Sequence, residues 1–85
     1  MGKKILIEYC APCGFEKAAK TLESELKTQF ADEIEHITLQ PSKLIGKFDV
    51  VMDGEIIFDK RSVGHLPLPG EIETIIIQKN WSKNK

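Results

Sequence analysis

The 85-residue sequence has little of several features that would indicate particular classes of protein. Its formal net charge is only −1, from 12 basic and 13 acidic residues that are interspersed along the chain. A nucleic-acid-binding protein neutralises a run of phosphates with a basic face, and the sequence has no such face. The lysines near both ends are expected to be solvated. We therefore predict no nucleic-acid partner.

Long apolar runs are also missing. A membrane-spanning helix needs about 20 consecutive apolar residues, and nothing of that length occurs here. Residues Ile5–Ile7 follow two lysines, but Glu8 ends this run too soon for the apolar region of a signal peptide. Gly2 would suit N-myristoylation, but Leu6 stands where that motif has serine or threonine. We therefore expect a cytoplasmic protein that makes no contact with membranes.

The length of the chain predicts a single domain over residues 1–85. A core of this size is only marginally sufficient, so nearly every apolar residue is expected to be needed for it. No internal repeat, low-complexity segment or linker divides the sequence. We expect a monomer or a weak dimer.

Apolar periodicity predicts an α/β fold with the order β-α-β-β-β-α. The first helix is predicted from residue 13 or 14 to residue 30 by an apolar stripe at helical spacing, formed by Phe15, Ala18, Ala19, Leu22, Leu26 and Phe30. Strands are predicted over residues 4–9, 33–39, 48–52 and 55–59, and a final helix over residues 71–80. The first two strands should be parallel, because a helix connects them in a right-handed crossover.

Turn residues define the other boundaries. Asp53-Gly54 between two β-rich runs predicts a tight hairpin, because both central positions need a positive φ. Pro41-Ser42 is predicted to end the second strand, and residues 60–70 are predicted to form a polar loop. The three isoleucines at 75–77 would also suit a strand, which is the alternative to the final helix.

Two cysteines, Cys10 and Cys13, stand where the first strand passes into the first helix. A thiol at the N-terminus of a helix meets unpaired N–H groups and the positive end of the helix dipole, and both favour the thiolate. One thiolate could attack a substrate disulfide, and the other could then resolve the mixed disulfide. Pro12 suits the first turn of a helix because it has no N–H to leave unsatisfied.

A Cys-x-x-Cys pair in this position indicates thioredoxin-like redox chemistry. Zinc is an alternative, but a zinc site usually needs four ligands, and only His36 and His65 remain as nitrogen ligands. Both histidines are expected on the surface, so a metal would have to be shared between two chains. We predict no metal and no cofactor. A redox-gated adaptor, in which oxidation of the pair changes a binding surface, is a further alternative.

The residues around the pair resemble a known family. The segment Tyr9-Cys10-Ala-Pro-Cys13-Gly-Phe is similar to the signature of the selenoprotein W-like group, the Rdx family, and so are Gly46–Val50 and Asp53–Lys60. The likeness extends over roughly residues 4–80. It implies a thioredoxin-like fold with a mixed four-stranded sheet.

The resemblance implies a thiol–disulfide oxidoreductase or redox sensor linked to glutathione, to a thioredoxin-type reductant or to a protein thiol. Cys13 stands where animal members carry selenocysteine, so either Cys10 or Cys13 could attack first. The residues beside the pair are expected to line the site, namely Tyr9, Ala11, Pro12, Gly14 and Phe15. Unlike ordinary thioredoxins, the sequence has no tryptophan before the pair. It has Ile45-Gly46-Lys47 where thioredoxins keep a cis-proline before the third strand.

Overall fold

A computed structural model describes residues 3–68 and 70–84, and the side chains as far as residue 78. The elements follow the order β-α-β-β-β-α-α. Their bounds are β1 Lys3–Cys10, α1 Glu16–Gln29, β2 Ile34–Ser42, β3 Phe48–Met52, β4 Glu55–Asp59, α2 Lys60–Val63 and α3 Glu71–Asn84.

The four strands form one mixed sheet in the order β2-β1-β3-β4. Strand β1 pairs with β2 in parallel, with α1 as the connection, and pairs with β3 in antiparallel orientation. Strands β3 and β4 form an antiparallel hairpin. The predicted fold class, an α/β fold with a mixed four-stranded sheet and helices packed on it, is confirmed. The β1–β2 pairing also confirms the predicted parallel strands.

The core lies between one face of the sheet and the two long helices. Alternate residues of β1 point into it, because successive side chains of a strand face opposite sides. Side chains from α1 and α3 join the same buried cluster, so both helices cover the same face of the sheet. The fully or nearly fully buried members are Ile5, Ile7, Tyr9, Ala19, Leu22, Leu26, Phe30, Phe48, Val50, Met52, Phe58, Ile72 and Ile76. The predicted apolar stripe of α1 is therefore the packed face of that helix.

The predicted hairpin is confirmed. Asp53 and Gly54 have φ values of 51° and 86°, which a two-residue turn between right-twisted strands requires. The Asp53 carboxylate accepts a hydrogen bond from the Lys4 amide at 2.9 Å, which ties the turn to β1.

Helix α1 begins later than predicted. Residues 13–15 belong to a turn, and the helix starts at Glu16. Gly14 has φ of 78°, which right-handed helical backbone excludes, so the predicted start at residue 13 or 14 is wrong. The cysteines therefore lie in the turn before the helix. The helix ends at Gln29 rather than at the predicted Phe30, which caps it.

Pro41-Ser42 does not end β2, contrary to the prediction. Pro41 pairs with Tyr9 and Ser42 with Cys10 in the parallel ladder. Strand β2 is at the edge of the sheet, and the N–H groups on the outer side of an edge strand have no partner strand. Proline, which lacks an N–H, is therefore tolerated in such a strand.

The segment 60–70 is not wholly a loop, because Lys60–Val63 form the short helix α2. Asp59 caps it by accepting a hydrogen bond from the Arg61 amide at 3.0 Å, and Gly64 ends it with φ of 92°. A single helical turn has no apolar period, so the sequence pattern could not reveal it. The final helix is confirmed, although it extends to Asn84 rather than to residue 80. The alternative of a strand at 75–77 is wrong, because Ile72 and Ile76 are buried one helical turn apart.

Candidate redox site

Cys10 and Cys13 form a disulfide at the carboxyl end of β1. Their Cα atoms lie 5.3 Å apart, a usual separation for a disulfide. A tight turn brings them together: the Gly14 amide donates to the carbonyl of Ala11 at 3.1 Å, and the Phe15 amide donates to that of Cys10 at 3.3 Å. The positive φ of Gly14 lets the chain leave this turn and enter α1.

The two cysteines differ in burial. Cys10 is completely buried, whereas Cys13 is half-buried. Ala11 and Pro12, the residues between them, are both exposed. A partner in solution can therefore approach the disulfide from the side of Cys13.

Each sulfur atom accepts a hydrogen bond from a backbone amide. The Cys13 N–H donates to Cys10 Sγ at 3.1 Å, and the Gly46 N–H donates to Cys13 Sγ at 3.2 Å. Hydrogen bonds to the charged form of a group favour that form. Both sulfurs thus have a donor that would stabilise a thiolate after the disulfide opens.

Gly46 belongs to the segment that connects β2 to β3. This segment lies beside the pair because the backbone at the end of β1 bonds to both of its ends. The Cys10 N–H donates to the Lys47 carbonyl at 2.7 Å, and the Ala11 N–H donates to the Ser42 carbonyl at 3.0 Å. Gly46 has φ of 81°, a conformation that residues with a side chain rarely adopt. The backbone conformation of Gly46 is therefore part of the site.

A charged cluster adjoins the pair. Lys47 Nζ lies 2.9 Å from the buried Asp49 carboxylate and 3.8 Å from that of Glu8. The pKa of Lys47 is raised, chiefly by the hydrogen bond with Asp49, while partial burial opposes the increase. Glu8 is half-buried and faces Lys47. The cluster fixes the side chain of Lys47, the residue whose carbonyl accepts the hydrogen bond from the Cys10 N–H.

The aromatic residues that flank the pair in sequence belong to the core side of the site. Tyr9 is buried within the core cluster. Phe15 is half-buried and packs edge-on against Phe48, with ring centroids 6.3 Å apart. The Lys60 ammonium lies 5.7 Å from the centroid of the Phe15 ring. Of the residues expected to line the site, Ala11, Pro12 and Gly14 are exposed, whereas Tyr9 and Phe15 support the pair from within.

Sequence reasoning missed Gly46, Ser42 and Lys47 as parts of the site. Gly46 lies in a segment that carries the family resemblance, and Ile45-Gly46-Lys47 stands where thioredoxins keep a cis-proline, but neither fact predicted an N–H donor to Cys13. That contact depends on β3 lying next to β1, which a sequence pattern does not specify.

Neither histidine belongs to the pair's immediate surroundings. His36 is exposed on β2, and Nδ1 of His65 lies 2.7 Å from the carbonyl oxygen of Leu66. Within residues 3–68 and 70–84, no three His, Cys, Asp or Glu side chains are grouped so that they could hold a metal ion. In the same part of the chain, no helix has the length and apolar character to cross a membrane.

The sheet, the helix that follows β1 and the Cys-x-x-Cys disulfide between them define a thioredoxin-like protein with a redox-type cysteine pair. The family model of the Rdx family matches residues 4–78. The chain belongs to the Rdx family.

Known relatives agree with this assignment. The chain is 38% identical over 69 residues to migration and invasion enhancer 1 of Bos taurus and 36% identical to that of Mus musculus. Each match covers 78% of this chain but only 55% of the relative, so the chain spans about half the length of these curated proteins.

Two solved structures are similar to the fold. The selenoprotein W-related protein from Vibrio cholerae superimposes with a TM-score of 0.86 and 26% identity, covering 92% of this chain and 96% of that one. A protein from Bordetella parapertussis superimposes with a TM-score of 0.87 at 22% identity, covering 93% and 99% of the two chains. The second likeness concerns the fold alone.

Proposed function

We propose that this protein is a thiol–disulfide oxidoreductase in which Cys13 exchanges with partners and Cys10 resolves the mixed disulfide. The observation that carries the proposal is the unequal burial of the two cysteines, with Cys13 half-buried and Cys10 completely buried. Membership of the Rdx family supports a redox role for the pair.

In the reducing direction, the Cys13 thiolate attacks one sulfur of a substrate disulfide. A bond forms between Cys13 Sγ and that sulfur, and the other substrate sulfur leaves as a thiolate and takes up a proton. Cys10 then attacks Cys13 Sγ as a thiolate, which releases the substrate as a dithiol and forms the Cys10–Cys13 disulfide. The substrate gains two electrons and the pair loses two.

The backbone amides suit these roles. The Gly46 N–H would stabilise the attacking Cys13 thiolate, and the Cys13 N–H would stabilise the Cys10 thiolate when the pair is reduced again. Reduction of the Cys10–Cys13 disulfide requires an external thiol. Glutathione or a thioredoxin-type reductant would supply it. Such a cycle belongs in a reducing compartment such as the cytoplasm, where thiols are kept reduced.

A redox titration against glutathione, read by mass spectrometry, tests this function. The wild-type protein should interconvert between a dithiol and an internal disulfide. Cys10→Ser should accumulate a mixed disulfide with glutathione on Cys13, because the resolving thiol is missing, whereas Cys13→Ser should accumulate little. Equal accumulation in both variants would contradict the assignment of Cys13, and a pair that never exchanges with any thiol would contradict the function itself.

One observation favours a second function, a redox-gated adaptor. The Gly46 N–H binds Cys13 Sγ in the disulfide form, so the charge that this sulfur gains when the disulfide opens to a thiolate would strengthen the bond that holds the segment between β2 and β3. A partner protein could bind this segment in one redox state only. Turnover separates the two functions: an adaptor binds its partner in one redox state but does not cycle with glutathione or thioredoxin reductase.

A further inference from the structure

A groove lies between α1 and the segment that leads into α3. It has a polar part of about 580 Å³ and an apolar part of about 340 Å³, and Thr21 and Glu25 line both parts. Small-molecule sites in proteins usually have volumes of about 300–1,000 Å³. We call the two parts together the α1–α3 groove. Its walls are residues 17–29 of α1 on one side and residues 66–68, Gly70 and Glu73 on the other.

The polar part contains a buried carboxylate without a partner. Glu73 is only 8% exposed, and its Oε1 atom has no hydrogen-bond partner among the described residues. Burying a charged oxygen without a partner is costly. Glu73 lies in the first turn of α3, where the positive end of the helix dipole favours a negative charge. Rotation about the last bond of the side chain, which has only a broad preference, can turn either oxygen towards the groove.

The other polar residues of this part carry no positive charge. Glu25 is half-buried and adds a second carboxylate. The remaining side chains offer hydroxyl groups and one amide, which accept or donate hydrogen bonds without changing the charge. They belong to Thr21, Ser24, Thr28 and Gln29.

The lysines of α1 do not neutralise these carboxylates. Lys20 and Lys27 are each paired with the glutamate four residues before them, at 3.3 Å in both cases. Lys17 is exposed and lines the apolar part, but eight residues of helix separate it from Glu25, which is about 12 Å along the helix axis. The polar part is therefore suited to a cation that comes from outside the chain.

The apolar part adjoins these carboxylates. Its wall on α1 is formed by Ala18 and Leu22, and its opposite wall is formed by Leu66, Pro67 and Leu68. Leu68 is 61% exposed, which is unusual for a large apolar side chain in a domain with a small core. A ligand chain that covered Leu68 would remove apolar surface from water.

Hydrogen bonds hold the second wall in place. The Leu68 amide donates to Glu71 Oε1 at 3.0 Å, and the Glu71 amide donates to the Leu68 carbonyl at 2.9 Å. Thr74 donates to the Gly70 carbonyl through its amide at 3.0 Å and its hydroxyl at 2.9 Å. A wall fixed in this way loses little conformational freedom when a ligand binds.

We propose that the α1–α3 groove binds a free primary amine, in its ammonium form, that carries a short hydrocarbon chain. The ammonium group donates hydrogen bonds to the carboxylates of Glu73 and Glu25, and the chain lies against Leu66 and Leu68. The charge of the head complements the unpartnered carboxylate, and the chain complements the adjoining apolar part. The inference does not involve the cysteine pair and stands independently of the proposed function.

Two other cationic occupants fit the groove less well. A metal ion needs more protein ligands, and within residues 3–68 and 70–84 no three His, Cys, Asp or Glu side chains are grouped to hold one. The side chain of a lysine in a partner protein also carries an ammonium group, but its hydrocarbon chain ends in polar peptide groups. Those groups would meet the apolar wall, where a free amine places only hydrocarbon.

A titration followed by amide NMR tests the inference. The probes are hexylamine, hexanol and hexanoate at pH 7, where an alkylamine is protonated. Hexylamine should shift amide signals of residues 17–29 and 66–74 saturably, with a dissociation constant on the order of 1 mM. Hexanol should bind at least about tenfold more weakly because it lacks the charge-assisted hydrogen bond. Hexanoate should bind more weakly still, because two carboxylates repel it.

Variants locate the ammonium group. Glu73→Gln should weaken the binding of hexylamine by about tenfold and leave that of hexanol unchanged. Its urea midpoint should remain close to that of the wild type, because Oε1 of Glu73 accepts no hydrogen bond in the fold. Glu23→Gln is the matched control: it removes the same charge from α1, but Glu23 lies about 200° around the helix from Glu25. Its affinity for hexylamine should be that of the wild type.

A second pair of variants locates the hydrocarbon chain and does not depend on Glu73. Leu68→Ser should weaken the binding of hexylamine and of hexanol alike, by roughly fivefold, because it removes one apolar contact. Ile56→Ser is the control, since Ile56 is 57% exposed and lies on β4 outside the groove. It should change neither affinity.

Several results would overturn the inference. Hexanol or hexanoate that binds as tightly as hexylamine would remove the role of the carboxylates, and in the second case Lys17 would be the group that binds. The inference also fails if Glu73→Gln has no more effect than Glu23→Gln, or if it lowers the urea midpoint strongly, since the carboxylate would then serve the fold. Tighter binding of Ca²⁺ or of Nα-acetyl-lysine methylamide at the same amide signals would overturn the assignment to a free amine.

Discussion

The hydrogen bond from Gly46 to Cys13 can be tested by one substitution, Gly46→Ala. Gly46 has φ of 81°, and an added Cβ meets nothing within 4 Å, so the alanine is strained by its backbone conformation rather than by a clash. Left-handed backbone costs an L-residue about 1–2 kcal/mol. If the segment relaxes to relieve this strain, the N–H moves away from Cys13 Sγ.

A hydrogen bond to a charged group contributes about 1.5–3 kcal/mol. Losing even the lower value would reduce the Cys13 thiolate population near neutral pH by roughly tenfold, since about 1.4 kcal/mol corresponds to a factor of ten. The assay is the rate of iodoacetamide alkylation as a function of pH, in a reduced Cys10→Ser background where Cys13 is the only thiol. We expect Gly46→Ala to slow alkylation by about tenfold below the pH at which the rate levels off.

Gly64→Ala is the matched control. Gly64 has φ of 92°, ends α2, and also has open space where its Cβ would lie. The Gly64→Ala variant should lose about the same stability in urea unfolding as Gly46→Ala, about 1–2 kcal/mol, because the backbone strain is of the same kind. Its alkylation profile should match that of the background. Slowing of alkylation by both glycine variants, or by neither, would refute a specific role for the Gly46 amide.

Three further predictions concern stability. Cys13→Ser should leave a folded protein that is at most about 2 kcal/mol less stable than the disulfide form in urea unfolding. The reason is that the short loop closed by the Cys10–Cys13 disulfide restrains little of the unfolded chain. A loss of about 4 kcal/mol or more would make the residue structural. Asp49→Asn removes the main cause of the raised pKa of Lys47. A raised pKa gives stability that is complete below the unfolded value near 10.4 and is lost as pH rises through the folded value, so the variant should lose less stability than the wild type as the pH rises above about 10.4. The control Glu16→Gln, which removes the exposed Glu16–Lys20 ion pair on α1, should lose as much as the wild type. Ile76→Ala should cost about 2–5 kcal/mol in the same assay because Ile76 is 1% exposed in the core, and a loss below 1 kcal/mol would show that α3 does not pack there.

The parts of the fold that could be predicted are those with a repeating local signal. The apolar stripe of α1 and the Asp53-Gly54 turn depend on spacing and φ preferences that the sequence states directly. The errors have tertiary causes. Pro41 lies within β2 because that strand is at the sheet edge, and the order of strands is set by packing rather than by local pattern.

The candidate site also has features that the sequence predicted and features that it could not predict. The spacing of Cys10 and Cys13 predicted that their sulfurs could meet, and the structure joins them. Their unequal burial and the Gly46 donor could not be predicted, because both arise from residues more than 30 positions away that β2 and β3 bring beside β1. The predicted helix N-terminus contributes less than expected, since α1 begins three residues after Cys13.

The segment before the third strand links the chemistry of this protein to its departure from ordinary thioredoxins. A proline at that place has no N–H and can only offer its ring and carbonyl to a bound chain. The segment Ile45-Gly46-Lys47 stands there instead, and the Gly46 N–H reaches the sulfur of the second cysteine. This donor favours negative charge on Cys13, the same sulfur that solvent can reach. Because each sulfur has one amide donor, burial is what distinguishes the two cysteines, and under the proposed function it favours attack by the second of the pair. A substitution that removes the donor should reduce the reactivity of Cys13 without reversing the roles, because Cys10 would still be buried beneath it.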